Sequence, residues 1–461
     1  MPRATNEKPQ QIAPAISTRR PSVGNGHGLG QLTLVEHALC PLDAGQSLRE
    51  NLVFETGYYY ADKNRHQKKA AVKIVCPGGL SPSDEFFLWG LLALTFASAY
   101  QPGEEPDSEF HATPHYCLRR LGLIDQHANR GGRNYRHFAD ALDRLAQVSY
   151  ASDAFYDPVR AEHRKVRFGF LSYSLPLDPD SSRAWRVAWD PIFFDLVKPL
   201  GGQFRFDLDT YRDLDPAARR LFLLLSKIFD RRETTPRFDV RHLAVEVLGF
   251  SPALAPRHQR QKLQRVVGVL ADAGIVSGPA VFEKAAGEAA ARGDQSIVLA
   301  RGPRFSKTTP PNAGTVSDSP LWEALVGLGF DPPAAGKLLK DYPHRMVREW
   351  LDITLAARER FGSKFFKRSP IAYLVDNLRE AKSSRRTPPE WWHELRSREH
   401  QRVRSLPGSA SSGVTSAAVP EHSAAVLRRV TEAVFGQQTG AVEADGVGEP
   451  KRVPPTGRPV R

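Results

Sequence analysis

Two stretches of this sequence place basic side chains at helical intervals opposite an apolar stripe. At about 100° per residue, the later stretch sets Leu263 and Val267 on one side of a helix and its polar residues on the other. These polar residues are Arg257, His258, Gln261, Lys262 and Arg265. Arginine can hold guanine or phosphate oxygens through two hydrogen bonds, and histidine and glutamine can add bonds to base edges. The spacing therefore predicts a helix that contacts DNA.

The earlier stretch shows the same arrangement with less positive charge. Its candidate DNA-contacting residues are Arg133, Arg136, His137 and Arg144. They lie opposite an apolar stripe, but Asp140 and Asp143 share their side of the helix. The β-like run that follows carries Arg164, Lys165 and Arg167, where a wing would lie against phosphates or in the minor groove. The alternative for both helices is an ordinary solvated face, which any surface helix has.

The overall composition agrees with a polyanionic partner. The 461 residues include 64 Lys and Arg against 51 Asp and Glu, which gives a formal net charge of +13. A balance this basic favours nucleic acid as a ligand. A GC-rich genome, which encodes Arg in place of Lys, is the alternative explanation, but it does not account for the placement of the cations on two particular helices.

Motifs for bond-making chemistry are missing from the sequence. There is no G-x-x-x-x-G-K-[ST] loop for a nucleotide, and neither H-E-x-x-H nor G-x-S-x-G occurs. Cys40, Cys76 and Cys117 are too far apart in sequence to suggest a zinc site or a disulfide framework. His111 and His115 could share a helical face, but two polar residues at a helix start without a third ligand indicate zinc only weakly. We therefore expect no catalytic residue, no metal, no cofactor and no enzymatic activity.

The candidate residues need elements that position them, and the sequence repeats one set of such elements. Each copy has an apolar helix, a short helix that ends in Leu-Gly, a turn, a basic amphipathic helix and a β-rich stretch. The Leu-Gly pairs are Leu121-Gly122 and Leu248-Gly249. A helix-turn-helix followed by a hairpin is the order of a winged helix, which offers one helix to the DNA major groove. The predicted fold class is α+β, with two tandem winged-helix domains, a small helical C-terminal module and disordered tails.

Local signals predict the helix starts and the domain boundaries. Asp84, Thr113 and Asp215 are expected to begin helices, the last two with a proline in the first turn. The predicted ranges are 1–30 for a disordered basic arm, 31–200 for the first winged-helix domain with N-terminal strands, 201–303 for the second, 304–319 for a linker, 320–395 for the helical module and 396–461 for a disordered tail. The longest apolar run is too short to cross a bilayer and the N-terminus is unlike a secretory signal, so we expect a soluble, cytoplasmic protein without membrane contact.

The order of these elements resembles the plasmid replication initiators, specifically the replication initiator A group with tandem winged helices. The stretches that carry the resemblance are FFLWGLLALT, CLRRLGL, RNYRHFADALDRLAQVSY, VAWDPIFFDLV, FRFDLDTYRDLDPAARRLFLLLSKIFDRR and KLQRVVGVLADAGIV. They fall roughly within residues 50–300, and FDLDTYRDLDPAARRLFLLLSK is the most specific of them. Two later segments, GFDPPAAGKLLKDYPHRMVREWLD and FFKRSPIAYLVDNLRE, look like a C-terminal module of other phage and plasmid replication proteins.

The resemblance implies a protein that binds direct repeats in a plasmid origin as double-stranded DNA and promotes melting of an adjacent AT-rich region. It implies recruitment of the host initiator ATPase and the replicative helicase. It also implies monomers that bind the origin repeats and a homodimer that represses its own promoter, with the second unit as the main DNA reader. Two alternatives stay open: a winged-helix transcriptional regulator and, less favoured because no His/Tyr constellation is present, a DNA-nicking replication enzyme.

Overall fold

A computed structural model describes residues 26–98, 106–124, 132–178, 181–284, 295–305 and 319–405. Most of the predicted arm, linker and tail, at 1–25, 306–318 and 406–461, lies outside the described residues. The described part has an α+β fold, in which short antiparallel sheets alternate with helices.

The strands are β1 (His27–Gln31), β2 (Leu52–Ala61), β3 (Gln67–Cys76), β4 (Glu109–Ala112), β5 (Ser149–Asp157), β6 (Glu162–Phe168), β7 (Leu171–Ser174), β8 (Trp185–Trp189), β9 (Gln203–Asp207), β10 (Phe238–Asp239), β11 (Val276–Lys284) and β12 (Gln295–Arg301). The helices are α1 (Ala44–Ser47), α2 (Pro82–Ala97), α3 (Pro114–Arg120), α4 (Arg133–Ala146), α5 (Pro191–Val197), α6 (Leu208–Asp213), α7 (Pro216–Phe229), α8 (Val240–His242), α9 (Pro256–Asp272), α10 (Pro320–Leu328), α11 (Pro332–Asp341), α12 (His344–Phe361), α13 (Pro370–Lys382) and α14 (Glu390–Ser405). A π-helical turn, Leu243–Val247, continues α8.

The strands form four antiparallel sheets within the described ranges. β1 pairs with β9, and the other sheets have the orders β2-β3-β5-β6, β4-β8-β7 and β10-β12-β11. In both three-stranded sheets the last strand in sequence lies in the middle. The first strand of each sheet lies in sequence between an apolar helix and a basic helix: β4 between α2 and α4, and β10 between α7 and α9. The two predicted copies therefore share their element order and their sheet order, except that the β5–β6 hairpin is inserted into the first.

A capping side chain followed by proline begins several of the helices. Thr113 caps α3 and Asp215 caps α7, each before a proline, as predicted. The prediction that Asp84 begins α2 is wrong, because Ser81 caps this helix. Asp84 is instead the second half of a capping box, and its carboxylate accepts a hydrogen bond of 2.7 Å from the backbone N–H of Ser81. A serine and an acid three residues apart satisfy two free N–H groups, whereas Asp84 alone would satisfy one.

Both Leu-Gly pairs end a helix at a point where the backbone turns left-handed. The φ angle is 68° at Gly122 and 77° at Gly249. A side chain at either glycine would collide with a guanidinium group, that of Arg212 at the first and that of Arg220 at the second. Only glycine combines this φ angle with so close an approach. The two glycines therefore make the sharp turn that separates each short helix from the segment leading to the basic helix.

One hydrophobic cluster runs through both copies, from Leu29 to Leu299. Within it, Arg220 of α7 and Glu85 of α2 form an ion pair in which neither side chain is more than 6% exposed. Arg220 Nη1 also donates to the carbonyl oxygen of Leu248 at 2.6 Å. A buried pair is tolerated only when its remaining donors are satisfied in this way. The two copies therefore share a core and a buried electrostatic contact.

Two predicted boundaries differ from the structure. His27–Gln31 form β1 where the end of a disordered arm was expected, because their backbone groups pair with β9. α14 runs to Ser405, past the predicted end of the helical module at residue 395. Its sequence contains no glycine or proline before Pro407, so nothing local interrupts the helix.

The C-terminal helices α10–α14 have their own hydrophobic cluster and are joined to the first copy by Arg183. This buried residue lies in the connection between β7 and β8. Its Nε donates to Asp352 of α12 at 2.8 Å, and its Nη1 donates to Glu399 of α14 at 2.5 Å. The guanidinium carbon also lies 5.0 Å from the ring centroid of Trp392. The described end of the β7–β8 hairpin is therefore held against the C-terminal helices.

Candidate nucleic-acid interface

The residues predicted on α9 share one exposed face. All five are exposed, namely Arg257, His258, Gln261, Lys262 and Arg265. At about 100° per residue they lie within an arc of about 140°. The opposite stripe, Leu263, Val266, Val267 and Leu270, is buried and faces α7 and β11. The helical phase predicted from the sequence therefore agrees with the structure, and the polar face is open to solvent.

The cations of this face lie in a stretch without acidic residues. No residue from 256 to 271 is acidic, and the carboxylate of α9, Asp272, is its last residue, seven positions after Arg265. Arg260 is a further exposed cation of α9 that was not among the predicted residues, and its guanidinium carbon lies 4.7 Å from the ring centroid of Phe282 on β11. Arg260 was not predicted because on the helical projection it lies beside the apolar stripe, outside the polar face. The density of cations in the segment PRHQRQK was the signal that could have found it.

The N-terminal end of α9 is open to anions. Pro256, its first residue, has no N–H, and the N–H of His258 donates to the carbonyl oxygen of Ala255 at 2.8 Å. The side chain of Ala255 cannot cap the N–H of Arg257. The positive end of the helix dipole adds to the charge of Arg257. Buried Gln259 donates from Nε2 to the carbonyl oxygen of Leu254 at 3.0 Å, which fixes the turn before the helix. The cationic residues therefore lie on the half of the helix that a recognition helix directs at base edges.

The helix before α9 is braced by the β2–β3 hairpin. Glu246, in the π-helical turn, accepts a hydrogen bond of 2.9 Å from Thr56 Oγ1 and forms an ion pair of 3.1 Å with Lys69. The ring of His242 packs on that of Tyr59, with their centroids 4.6 Å apart. These contacts tie the segment before α9 to the four-stranded sheet. α9 is thus positioned by packed elements, which hold a binding surface more accurately than loops do.

The first copy presents a smaller cationic face on α4. Arg133, Arg136 and His137 are exposed, but so is Asp140. Arg144 does not join this face. Its guanidinium donates two hydrogen bonds, of 2.7 and 2.8 Å, to the buried carboxylate of Asp84 on α2. These bonds raise the pKa of Arg144 above its usual value. The expected placement of Arg144 on the exposed face is wrong because a projection of α4 alone does not show a partner from another helix.

The predicted wing residues of the first copy lie in another sheet than expected. Arg164, Lys165 and Arg167 are on β6, and the β5–β6 hairpin pairs with β3 to extend the four-stranded sheet. Arg164 forms an ion pair of 3.1 Å with buried Asp157, whereas Lys165 and Arg167 are exposed. The alternating pattern predicted these strands correctly. It could not predict their pairing with β3, which is distant in sequence.

His111 and His115 do not share a helical face. His111 lies on β4, where burial lowers its pKa to about 4 and its Nε2 is 3.3 Å from a carboxylate oxygen of Glu109. His115 lies on α3, with Nδ1 2.7 Å from the hydroxyl of Tyr135. No three or more His, Cys, Asp and Glu side chains come together as metal ligands among the described residues. In the same part of the chain, no helix has the length and apolar character needed to cross a membrane.

No protein-family model matches this chain, and no curated protein sequence matches it. A solved structure that shows similarity is the crystal structure of selenomethionine derivatives of domains 2 and 3 of RctB. The match covers 58% of this chain and 98% of that chain, with a TM-score of 0.37 and 12% sequence identity. A likeness of this size assigns neither a family nor a function. The function proposed below therefore depends on the charge, the exposure and the order of the elements in this chain.

Proposed function

We propose that this chain is a replication initiator that binds repeated double-stranded DNA sites in an origin, with α9 as its main DNA-contacting helix. The observation that carries the proposal is the exposed face of α9 that bears Arg257, Lys262 and Arg265, in a stretch (256–271) that contains no acidic residue. The cations of such a face neutralise phosphates and can form bidentate hydrogen bonds with guanine, and His258 and Gln261 add donors and acceptors for base edges.

The elements around α9 support a winged helix. Helix α7, strand β10, helices α8 and α9, and strands β11 and β12 follow one another, and β12 lies between the other two strands. In such a unit the last helix enters the major groove and the hairpin after it reaches the neighbouring backbone. The first copy repeats this order. We propose that it is an accessory unit, in which Arg133, Arg136 and His137 add contacts to DNA.

We further propose that the protein acts by binding and distorting DNA without enzymatic activity. The sequence has no nucleotide-binding loop of the usual pattern. Its resemblance to plasmid replication initiators favours an initiator over a transcriptional regulator built from the same units. Recruitment of a host initiator ATPase and a helicase, and the homodimer that represses transcription, depend on that resemblance alone.

A plasmid replication assay distinguishes an initiator from a transcriptional regulator and from a nicking enzyme. A plasmid that carries the origin but no initiator gene should replicate only when this protein is supplied. Repression of a promoter without support of replication would favour the transcriptional regulator. Nicking of supercoiled origin DNA by the purified protein, abolished by substitution of one tyrosine, would favour the nicking enzyme.

Arg257→Ala and Arg265→Ala should each weaken specific duplex binding by about fivefold to 150-fold. Neither change should lower the melting temperature, because both side chains are exposed. Arg231→Ala is the matched control, since this side chain is 83% exposed just after α7 and does not belong to α9. Binding titrations on one duplex compare the three variants. Unchanged affinity in both α9 variants would show that this helix does not face DNA.

A further inference from the structure

We propose that the C-terminal helices also bind single-stranded DNA, on a surface of aromatic rings and cations. We call this surface the aromatic platform; it is formed by Phe361, Phe365, Tyr373 and Trp391. The inference rests on the proposed function in one respect: an origin that the protein has opened would supply the single strand. The binding itself depends on residues that belong to neither cationic helix of the two repeated copies.

Two rings of the platform are exposed to solvent. Phe361 is 41% exposed and Phe365 is 37% exposed, whereas the adjacent Phe366 is buried at 7%. Leaving large apolar surface in water is unfavourable. Clustered exposed rings are therefore a mark of a binding surface. Because Phe366 already fills the core position, the exposed surface of the other two rings is available for contact with a ligand.

The rings support one another. Phe361 and Phe365 are stacked, with centroids 5.1 Å apart and planes inclined by 18°. Trp391 meets Phe361 edge to face at 5.3 Å, and Tyr373 meets Phe365 at 5.6 Å. Gly362 turns the chain at the end of α12 with a φ angle of 72°, which brings Phe365 beside Phe361. Rings held in this way lose little side-chain entropy when a planar group stacks on them.

Cations accompany the rings along the chain. The segment from 360 to 368 contains no carboxylate, and its four cations are all exposed, namely Arg360, Lys364, Lys367 and Arg368. The guanidinium carbon of Arg360 lies 5.2 Å from the ring centroid of Phe361. Aromatic and basic residues that alternate within one short exposed segment can contact bases and phosphates at the same time.

A groove continues the platform. It has a volume of about 680 Å³, and Tyr373 contributes both to the platform and to the wall of the groove. Arg385, Arg386 and His393 also line it, and Glu390 is the carboxylate among its lining residues. Arg386 Nε donates to Asn377 Oδ1 at 2.8 Å, which orients the guanidinium at the wall. The positive charge therefore extends beyond the exposed phenylalanines in the direction of this groove.

An unpaired DNA strand is the polyanion that fits this combination. Exposed rings stack on unpaired bases of any sequence, and the surrounding cations contact the phosphates. In a duplex the faces of the bases are already stacked on each other, so the rings could not reach them. An acidic peptide would use the cations but would offer no row of planar groups to the rings. The chemistry of the platform therefore favours a single strand over either of these ligands.

The test measures binding of a labelled oligothymidine of about 15 nucleotides to the full-length chain by fluorescence anisotropy. A double variant, Phe361→Ala with Phe365→Ala, should bind it at least about fivefold more weakly, because stacking is lost. Phe361→Tyr with Phe365→Tyr keeps both rings and should bind as the unchanged chain does. Val326→Ala is the matched control, since this residue is 40% exposed on α10 of the same helical module. Phe361→Leu with Phe365→Leu keeps the apolar contacts without the rings, and it replaces the alanine variant if that one does not fold.

The test also separates the two sites. Arg257→Ala with Arg265→Ala should lose duplex affinity and keep its affinity for oligothymidine. The inference is overturned if the unchanged chain does not bind oligothymidine, or if the folded leucine variant binds it as tightly as the unchanged chain. It is also overturned if the α9 variant loses the single strand, because α9 would then be the binding site. A change in molecular mass with the leucine variant, without any effect on oligothymidine, would identify a second copy of the chain as the occupant and would likewise overturn it.

Discussion

At the scale of single residues, the arginines divide into those that hold the fold and those that face solvent. Arg144, Arg183 and Arg220 each bind a carboxylate that is largely or fully buried. Removing one partner of such a pair leaves a buried charge and is strongly destabilising. Arg257 and Arg265 are exposed on a helix that has no acid beside them. The proposal that α9 contacts DNA depends on this division and not on the number of arginines.

The sequence predicts part of this division. It placed Arg257 and Arg265 opposite the apolar stripe of α9 correctly, because the phase of one helix is a local property. It also predicted that Arg144 is an exposed residue that contacts DNA, but Arg144 pairs with Asp84 on another helix. A projection of one helix does not show a carboxylate that another segment brings to it. Only the tertiary structure therefore distinguishes an arginine that pairs within the fold from one that faces solvent.

His37 makes the stability of the fold depend on pH. It is 3% exposed and packs between the rings of Tyr58 and Tyr150, with Nδ1 2.9 Å from the carbonyl oxygen of Ala38 and Nε2 2.9 Å from the Tyr150 hydroxyl. Burial lowers its pKa from 6.5 to about 4. The unfolded chain therefore binds the proton more readily than the folded chain. The stabilisation from this group is complete above pH 6.5 and is lost as the pH falls toward 4.

Urea unfolding should show this effect directly. The free energy of unfolding should fall by about 2 kcal/mol because of His37 when the pH is lowered to about 5. His37→Gln should show a smaller decrease over the same interval, although it is less stable at neutral pH. His111, whose pKa is also lowered to about 4, leaves a residual dependence in the variant. Equal pH dependence in the two proteins would mean that His37 is not held neutral in the folded state.

At the scale of elements, α9 and the three-stranded sheet that follows it depend on the apolar stripe of this helix. Val267→Asp should unfold this region, because Val267 is fully buried. An unpaired buried charge costs about 3–5 kcal/mol. Val269→Asp is the matched control, since Val269 is 40% exposed on the same helix. The thermal melting transition and duplex binding should both be lost in the first variant. The second variant should retain the melting transition, although its new carboxylate lies one turn from Arg265 on the exposed face and should weaken duplex binding. A folded Val267→Asp protein with normal duplex affinity would contradict the packing of α9.

The sequence predicted elements better than their pairing. The starts of α3 and α7 followed from a capping residue and a proline, which act within one turn of helix. The strands β5 and β6 followed from their alternating pattern. Their addition to the β2–β3 hairpin, and the contact of the β7–β8 connection with α12 and α14, could not be predicted, because strand pairing and helix docking are set by residues distant in sequence.

At the scale of the whole molecule, the two copies of the repeat depend on each other. β9 pairs with β1, and Arg220 of the second copy pairs with Glu85 of the first. A chain shortened to residues 201–305 would lack both partners. It would also expose to water the apolar surface that the second copy buries against the first, including the ring of Tyr211, which stacks on Phe86 with centroids 6.0 Å apart. Because an ordinary domain is stable by only about 5–15 kcal/mol, losses of this kind are a large fraction of its stability.

We therefore expect the fragment 201–305 to show no cooperative melting transition, whereas a chain of residues 26–305 should melt cooperatively. Circular dichroism during heating distinguishes the two. A cooperative transition in the unaltered short fragment would show that the second copy is an independent folding unit.

The exposed face of α9 is the centre of the proposed function, and its charge provides the most direct measurement. The full-length chain is used to select duplexes from a random pool, and the affinity for the selected duplex is then measured at increasing salt concentration. If six to ten phosphates are contacted, the slope of log K against log salt should be about −5 to −9. The Arg257→Ala, Arg265→Ala double variant should bind more weakly and with a shallower slope. A slope near zero, or identical affinity and slope in the double variant, would contradict the assignment of α9 as the helix that binds DNA.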